Sequence, residues 1–239
     1  MLEGEIPVIR DYPMSGQPPV RLVAKELLSL AASSLLYPFG FARSKKRTDK
    51  RREQRTVVLI HGYLANRSTL LPLSAYLRLR GHAVLGFDYR SSDGIERAAI
   101  ALRDWLKTSV RGGRVDLVCH SMGGLVARCY LQQLGGARRV DRCITLGTPH
   151  RGTYNAYWIH SRVGREMRPD SPIIGRLHAS RDQAARVRFT SIVAGSDNII
   201  VPRVFSGGDD LVHLPDLGHV GMLFSPRVFK AVGDRLAIR

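Results

Sequence analysis

Lysine is scarce in this chain: only 6 of its 37 basic residues are Lys, the rest being Arg. Acidic residues are also few, 20 in all, which leaves a formal net charge of +17. That balance suits either an anionic partner, nucleic acid or an acidic membrane surface, or a solvated surface in an Arg-rich composition. From Thr56 onward the Arg residues form no single run, which favours the solvated surface there. No helix-turn-helix, zinc-finger or RNA-binding aromatic pattern is present, so no nucleic-acid partner is expected. Cysteine is nearly absent. Cys119, Cys129 and Cys143 have neither CxxC nor metal-site spacing, which argues against a disulfide framework or a thiolate metal centre. They lie in apolar runs and read as small buried hydrophobes in a reducing compartment. A repeat of fixed period is lacking, which argues against a solenoid or propeller. The uncharged run Leu27 to Phe41 is short of the roughly 20 residues that span a bilayer. It starts late, follows an acidic N-terminus and is followed by no clear cleavage site, so no signal peptide is recognised. The expectation is a cytoplasmic protein.

The 239 residues suffice for one sizeable α/β domain. Residues 1–55 divide into an arm with Pro7, Pro13, Pro18 and Pro19, an apolar helix over 20–36, and a basic linker over 43–55. Leu22, Leu27, Leu30 and Leu35, with Val23 and Leu36, make the apolar side of that helix. Beside the basic run, the helix reads in two ways. Residues 20–55 form a peripheral contact with an anionic membrane, or the helix packs on the domain core and the linker is solvated. From Thr56 to the C-terminus, strands at 57–60, 83–87, 115–119, 140–146, 189–194 and 211–214 alternate with helical stretches at 66–80, 94–107, 125–134 and 226–237. Crossovers of this length imply a mainly parallel sheet with helices on both faces, a three-layer α/β/α architecture. Residues 151–188 break the rhythm and read as an insertion, a short lid or wall over the carboxyl ends of the strands, where such sheets bind ligands. Tyr157 and Trp158 within it are candidate substrate-binding residues.

The densest chemical signal is His120-Ser121-Met122-Gly123-Gly124, between a strand and a helix. A nucleophilic serine needs a sharp strand-to-helix turn with small residues two before and two after it. Gly123 satisfies the second position, and Cys119 stands where the full pattern has Gly. Leu59-Ile60-His61-Gly62-Tyr63 ends the first strand. Attack on an ester builds an oxyanion needing two N–H donors, and the candidates are the backbone amides of Tyr63 and Met122. His61 reads as holding this loop rather than as a base. Asp197, in the turn after a late strand, can accept an imidazole N–H and fix its tautomer. His219, after the last strand, completes the order Ser, Asp, His that such sheets use. Asp88 precedes the serine and is out of order; Asp209 and Asp210 sit in a Gly-rich turn.

Together with Gly147-Thr148-Pro149-His150-Arg151-Gly152-Thr153 and Gly218-His219-Val220-Gly221, these motifs resemble the bacterial triacylglycerol lipases and their esterase relatives. The resemblance runs from Thr56 to the C-terminus, and Gly218 to Phe224 is similar to the end of the small, nearly lidless lipases. It implies the α/β-hydrolase fold, acyl-enzyme chemistry with Ser121, His219 and Asp197, and no organic cofactor. Some such lipases bind structural calcium; no matched ligand set is found here, and no metal is expected. His150 reads as structural. The expected function is hydrolysis of carboxylic esters, with a small-molecule ester or lipid as partner. One alternative keeps the triad on another bond or acceptor, as thioesterase, acyltransferase, amidase or polyester depolymerase. The other is a basic binding protein, associated with membrane or nucleic acid, on an inactive hydrolase scaffold.

Overall fold

In a computed structural model the chain is described over residues 20–38, 55–110, 112–201 and 210–237. The proline-bearing arm, nearly all of the basic linker, and Asp209 lie outside the described residues. Helix α1 spans Val20–Leu36. Then follow β1 (Thr56–Ile60), α2 (Leu71–Leu79), β2 (Ala83–Phe87), α3 (Ile95–Ser109), β3 (Val115–His120), α4 (Met122–Gln133), β4 (Val140–Leu146), α5 (Arg162–Glu166), α6 (Pro172–Ala179), β5 (Arg188–Ala194), β6 (Asp210–Leu214) and α7 (Pro226–Ala237). The strands form one sheet in the order β2-β1-β3-β4-β5-β6, every pairing parallel. The expected α/β/α layering follows from its two buried faces. Along β1, Val58 and Ile60 join one core with α3 and α4, while Val57 and Leu59 join the other with α2 and α7. The period-two alternation of side chains sends neighbours to opposite layers.

Two helix starts differ from the sequence reading. The stretch after Asn66 begins as a 3-10 turn, Arg67–Leu70, and becomes α-helical only at Leu71, with a proline in its first turn. Asn66 caps this turn as expected, its side chain accepting from the Ser68 amide. Helix α4 starts at Met122 rather than Leu125. Glycine disfavours a helix interior, which hides Gly123 and Gly124 from a propensity reading. Packing requires them: a Cβ on Gly123 would lie 2.6 Å from the His61 carbonyl oxygen, and one on Gly124 2.1 Å from Thr148 Oγ1.

Helix α1 is turned the other way from what its composition suggests. Leu22 is buried, and Glu26, Ser29, Ala32, Ser33 and Leu36 are half-buried at helical spacing behind it. Of the apolar side read from the sequence, Val23, Leu27, Leu30 and Leu35 are exposed, and Leu28 with them; Leu28 and Leu35 are 69% and 76% exposed. The helix presents a mostly small and polar stripe to the domain and its leucines outward.

Candidate active site

The site is built at the carboxyl end of the sheet. β3 ends at His120, and Ser121 takes φ 53°, ψ −128° before α4 begins. An L-residue rarely adopts such a conformation unless its surroundings fix it. Here they do. The Ser121 amide donates to the Leu146 carbonyl at 2.8 Å, and the Ser121 carbonyl accepts from Gly124 N–H at 3.0 Å and from Thr148 Oγ1 at 2.9 Å. Both backbone groups of Ser121 are thus committed, and the turn carries its side chain out of the sheet. Gly62 lies against it so closely that a Cβ there would be 2.9 Å from Ser121 Cβ.

Asp197 follows β5 and is held by its own turn: Oδ1 accepts from the amides of Ile199 and Ile200 at 2.9 and 2.8 Å. Its Oδ2 accepts from His219 Nδ1–H at 2.7 Å, and both side chains are buried. With Nδ1 donating to the carboxylate, the neutral ring carries its lone pair on Nε2. Burial pushes the His219 imidazole down, but the charge of Asp197, its hydrogen bond, and the charge of Glu26 lift it above its ordinary value of 6.5. Gly147, one residue past Leu146, runs beside this pair; a Cβ on it would lie 3.1 Å from His219 Nδ1 and 3.3 Å from Asp197 Oδ2. The serine turn and the His–Asp pair therefore meet at the end of β4.

Two further histidines approach the site without joining it. His120 packs its ring 4.8 Å from that of His219 and donates from Nε2 to the His219 carbonyl at 3.3 Å. Burial, then the charge of His219, push it down to about 3, so it stays neutral. His61 donates from Nδ1 to the Gly62 carbonyl at 2.9 Å, places Nε2 3.1 Å from Asp88 Oδ1, and stacks on Tyr89 at 4.3 Å. It fastens the loop that carries Gly62 and Tyr63. The next residue, Leu64, has φ 53° and donates its amide to Ser91 Oγ at 3.0 Å. The Met122 amide lies in the first turn of α4, where N–H groups have no partner within the helix. Of the two loops the sequence picked out, the one before Tyr63 reaches the serine turn through Gly62, and Met122 follows Ser121 directly.

The insertion is rooted in the Asp197 turn. Thr153 Oγ1 donates to the Ile199 carbonyl and accepts from Val201 N–H, both at 3.0 Å, and Asn155 Nδ2 donates to the Asn198 carbonyl at 2.8 Å. Glu166 fastens its far side by accepting from the Ile95 amide at 2.7 Å, at the start of α3. Tyr157 and Trp158 lie on a 3-10 helix, Tyr154–Trp158. Tyr157 packs under the Arg168 guanidinium at 4.7 Å, and Trp158 is 81% exposed. Both side chains are thus exposed on the insertion, where an incoming chain could reach them.

Three residues that sequence reasoning passed over organise this region: Glu166, Glu26 and Arg128. Arg128 is fully buried in α4 and donates to the carbonyls of His150 and Leu177 at 2.8 and 2.7 Å, tying α4 to the Gly147–Thr153 loop and to α6. Burial lowers it to about 10. The sequence does carry one signal for it, since Arg128 is the only charged residue between Ser121 and Ala137.

Comparison with known proteins gives the family and the fold. The model of a domain of unknown function (DUF7379) matches residues 35–160, and that of the PGAP1-like alpha/beta domain matches residues 100–238, each more than half of the chain. The chain belongs to the PGAP1-like alpha/beta domain family, and to DUF7379 with it. The curated phospholipase A(1) LCAT3 of Arabidopsis thaliana is 38% identical over 72 residues, which are 28% of this PGAP1-like chain and 16% of that protein. The chain thus matches about a sixth of that relative's length. Among solved structures, Aspergillus fumigatus lipase B aligns over 79% of this chain and 53% of its own at 16% identity, with TM-score 0.70. The mature Bacillus licheniformis lipase BlEst2 aligns over 80% of this chain and 95% of its own at 15% identity, with TM-score 0.63. By family this is a PGAP1-like alpha/beta domain protein, and its fold is similar to that of solved lipases of the α/β-hydrolase type.

Proposed function

We propose that the protein hydrolyses carboxylic esters through an acyl-enzyme on Ser121. The observation that carries this reading is the buried 2.7 Å His219–Asp197 pair, set beside a serine held at φ 53° between a strand and a helix. His219 takes the Ser121 proton on Nε2 as Oγ attacks the ester carbonyl, and Asp197 holds the imidazole in the required tautomer and stabilises the imidazolium. The oxyanion is held by the amides of Tyr63 and Met122; losing one such donor typically costs about 10²–10³ in rate. His219 then protonates the departing alkoxide, and water activated by the same histidine releases the acid. A hydrophobic ester fits the relatives' names, and the insertion bearing Tyr157 and Trp158 is read as a short lid or wall for the acyl chain. The buried thiols of Cys119, Cys129 and Cys143 suit a reducing compartment such as the cytoplasm. The test is turnover of p-nitrophenyl esters from acetate to palmitate, wild type beside Ser121→Ala. Turnover lost in the variant supports the reading. A folded protein active only on thioesters or amides would overturn the ester assignment.

The outward leucines of α1 support a second element of this reading, peripheral contact with an anionic lipid surface. Among the described residues no helix is long and apolar enough to cross a membrane. A helix that exposes Leu27, Leu28, Leu30 and Leu35 beside a basic sequence run instead has the composition of an interfacial element. Leu28→Ser/Leu35→Ser is expected to reduce pelleting with phosphatidylserine vesicles about tenfold or more, since each buried leucine contributes roughly 1.5–3 kcal/mol. Equal pelleting of variant and wild type would contradict it.

A further inference from the structure

The loop that carries His219 is gripped from outside the domain core. Its N-terminal side is fixed to the Asp197 turn, where the Ser196 amide donates to the Leu217 carbonyl at 3.0 Å. Its C-terminal side is fixed by a residue of α1: the Glu26 carboxylate accepts from the Val220 amide at 3.0 Å through Oε2 and from the Gly221 amide at 2.7 Å through Oε1. Those two amides open the 3-10 turn Gly221–Phe224, so the carboxylate caps a turn whose first N–H groups have no helical partner. Charge-assisted bonds of this kind are roughly twice as strong as neutral ones. The loop sequence is shaped to admit the carboxylate. A Cβ on Gly218 would lie 2.3 Å from Glu26 Cδ, and one on Gly221 2.7 Å from Glu26 Oε1. The glycines flanking His219-Val220 thus have a packing reason, which neither the triad nor the oxyanion donors supply.

We infer that Glu26 is a positioning residue for His219: by holding the amides of the two residues after it, the N-terminal helix fixes the distance and orientation of the imidazole toward Ser121. This rests on the proposed Ser121–His219–Asp197 chemistry. The helix is then a working part of the catalytic unit. A misplacement of about 1 Å at a reacting group can cost on the order of 10² in rate, so a grip on this loop has kinetic leverage. The charge acts in the same place. The titratable and charged groups facing His219 are Asp197, His120 and Glu26, and of these His120 is neutral. Glu26 adds to the field that favours the imidazolium.

The test compares full-length wild type, Glu26→Gln and Glu26→Asp by p-nitrophenyl butyrate kinetics over pH and by hydrogen exchange at the amides of Val220 and Gly221. Gln presents one acceptor and one donor where two amides both donate. It is expected to lower kcat about tenfold or more with KM nearly unchanged, to move the acidic limb of kcat/KM to lower pH, and to speed exchange at both amides. Asp keeps the charge on a side chain one methylene shorter; it is expected to recover part of kcat and to keep the wild-type limb. Unchanged exchange at both amides in folded Glu26→Gln would overturn the contact. Faster exchange with wild-type kcat and pH profile would overturn the positioning role. Failure of the underlying ester reading is visible separately, as absence of turnover in the wild type, and the exchange comparison stands without it.

Discussion

Ser121→Ala is expected to lower kcat for a p-nitrophenyl ester by about 10⁴–10⁶-fold while leaving the fold intact. Removal of a triad nucleophile costs up to about 10⁶, and the activity that survives is what the oxyanion donors and binding supply on their own. The fold should not notice the change in chemistry, because what holds the turn is backbone. The Ser121 amide and carbonyl are bound by Leu146, Gly124 and Thr148, and none of these contacts uses the hydroxyl. Alanine has little preference for φ 53°, and neither has serine, so the strain of the turn is carried equally by both. Thermal unfolding within a few degrees of wild type, together with the loss of turnover, is the expected pair of results. A loss of turnover with collapse of the thermal transition would assign Ser121 to folding rather than to chemistry.

Asp197→Asn is expected to cost about 10⁴ in kcat, because an amide in place of the carboxylate can donate to Nδ1 and stabilise the wrong imidazole tautomer. The pH profile should move with it, and the sign is set by the forces on His219. In the wild type, Asp197 and Glu26 outweigh burial and hold the imidazole above 6.5, so kcat/KM falls as pH drops through a midpoint above that value. Without the Asp197 charge, burial becomes the dominant influence and the imidazolium is disfavoured; the acidic limb of the residual activity should shift to lower pH. A limb that stays in place, or moves upward, would remove Asp197 from its partnership with His219.

Much of this site is legible in the amino-acid sequence. Ser121, Asp197 and His219 each follow a strand, and strand ends in a parallel sheet converge on one edge, so three short motifs in the right chain order indicate one location. The strands themselves are readable because each buried run is short, apolar and bounded by turn residues. What stays hidden depends on direction or on distance along the chain. Periodicity in α1 reveals an apolar side but not whether that side faces the domain; Leu22 does, whereas Leu27, Leu28, Leu30 and Leu35 do not. Glu26 is separated from Val220 by 194 positions, and no local pattern links a lone helical glutamate to two distant amides. Its contact crosses the division drawn from sequence between residues 1–55 and the catalytic domain. The early start of α4 is masked by Gly123 and Gly124, whose reason is the crowding by His61 and Thr148 and not their intrinsic preference.

The central claim is that Ser121 is a nucleophile activated by His219, and covalent labelling tests it most directly. The full-length protein is treated with a fluorophosphonate ester and digested, and the adduct is located by mass spectrometry. The account predicts a single adduct on Ser121, which forms much more slowly in His219→Ala and is absent from Ser121→Ala. An unlabelled Ser121 in folded protein, or labelling that proceeds equally fast without His219, would contradict it.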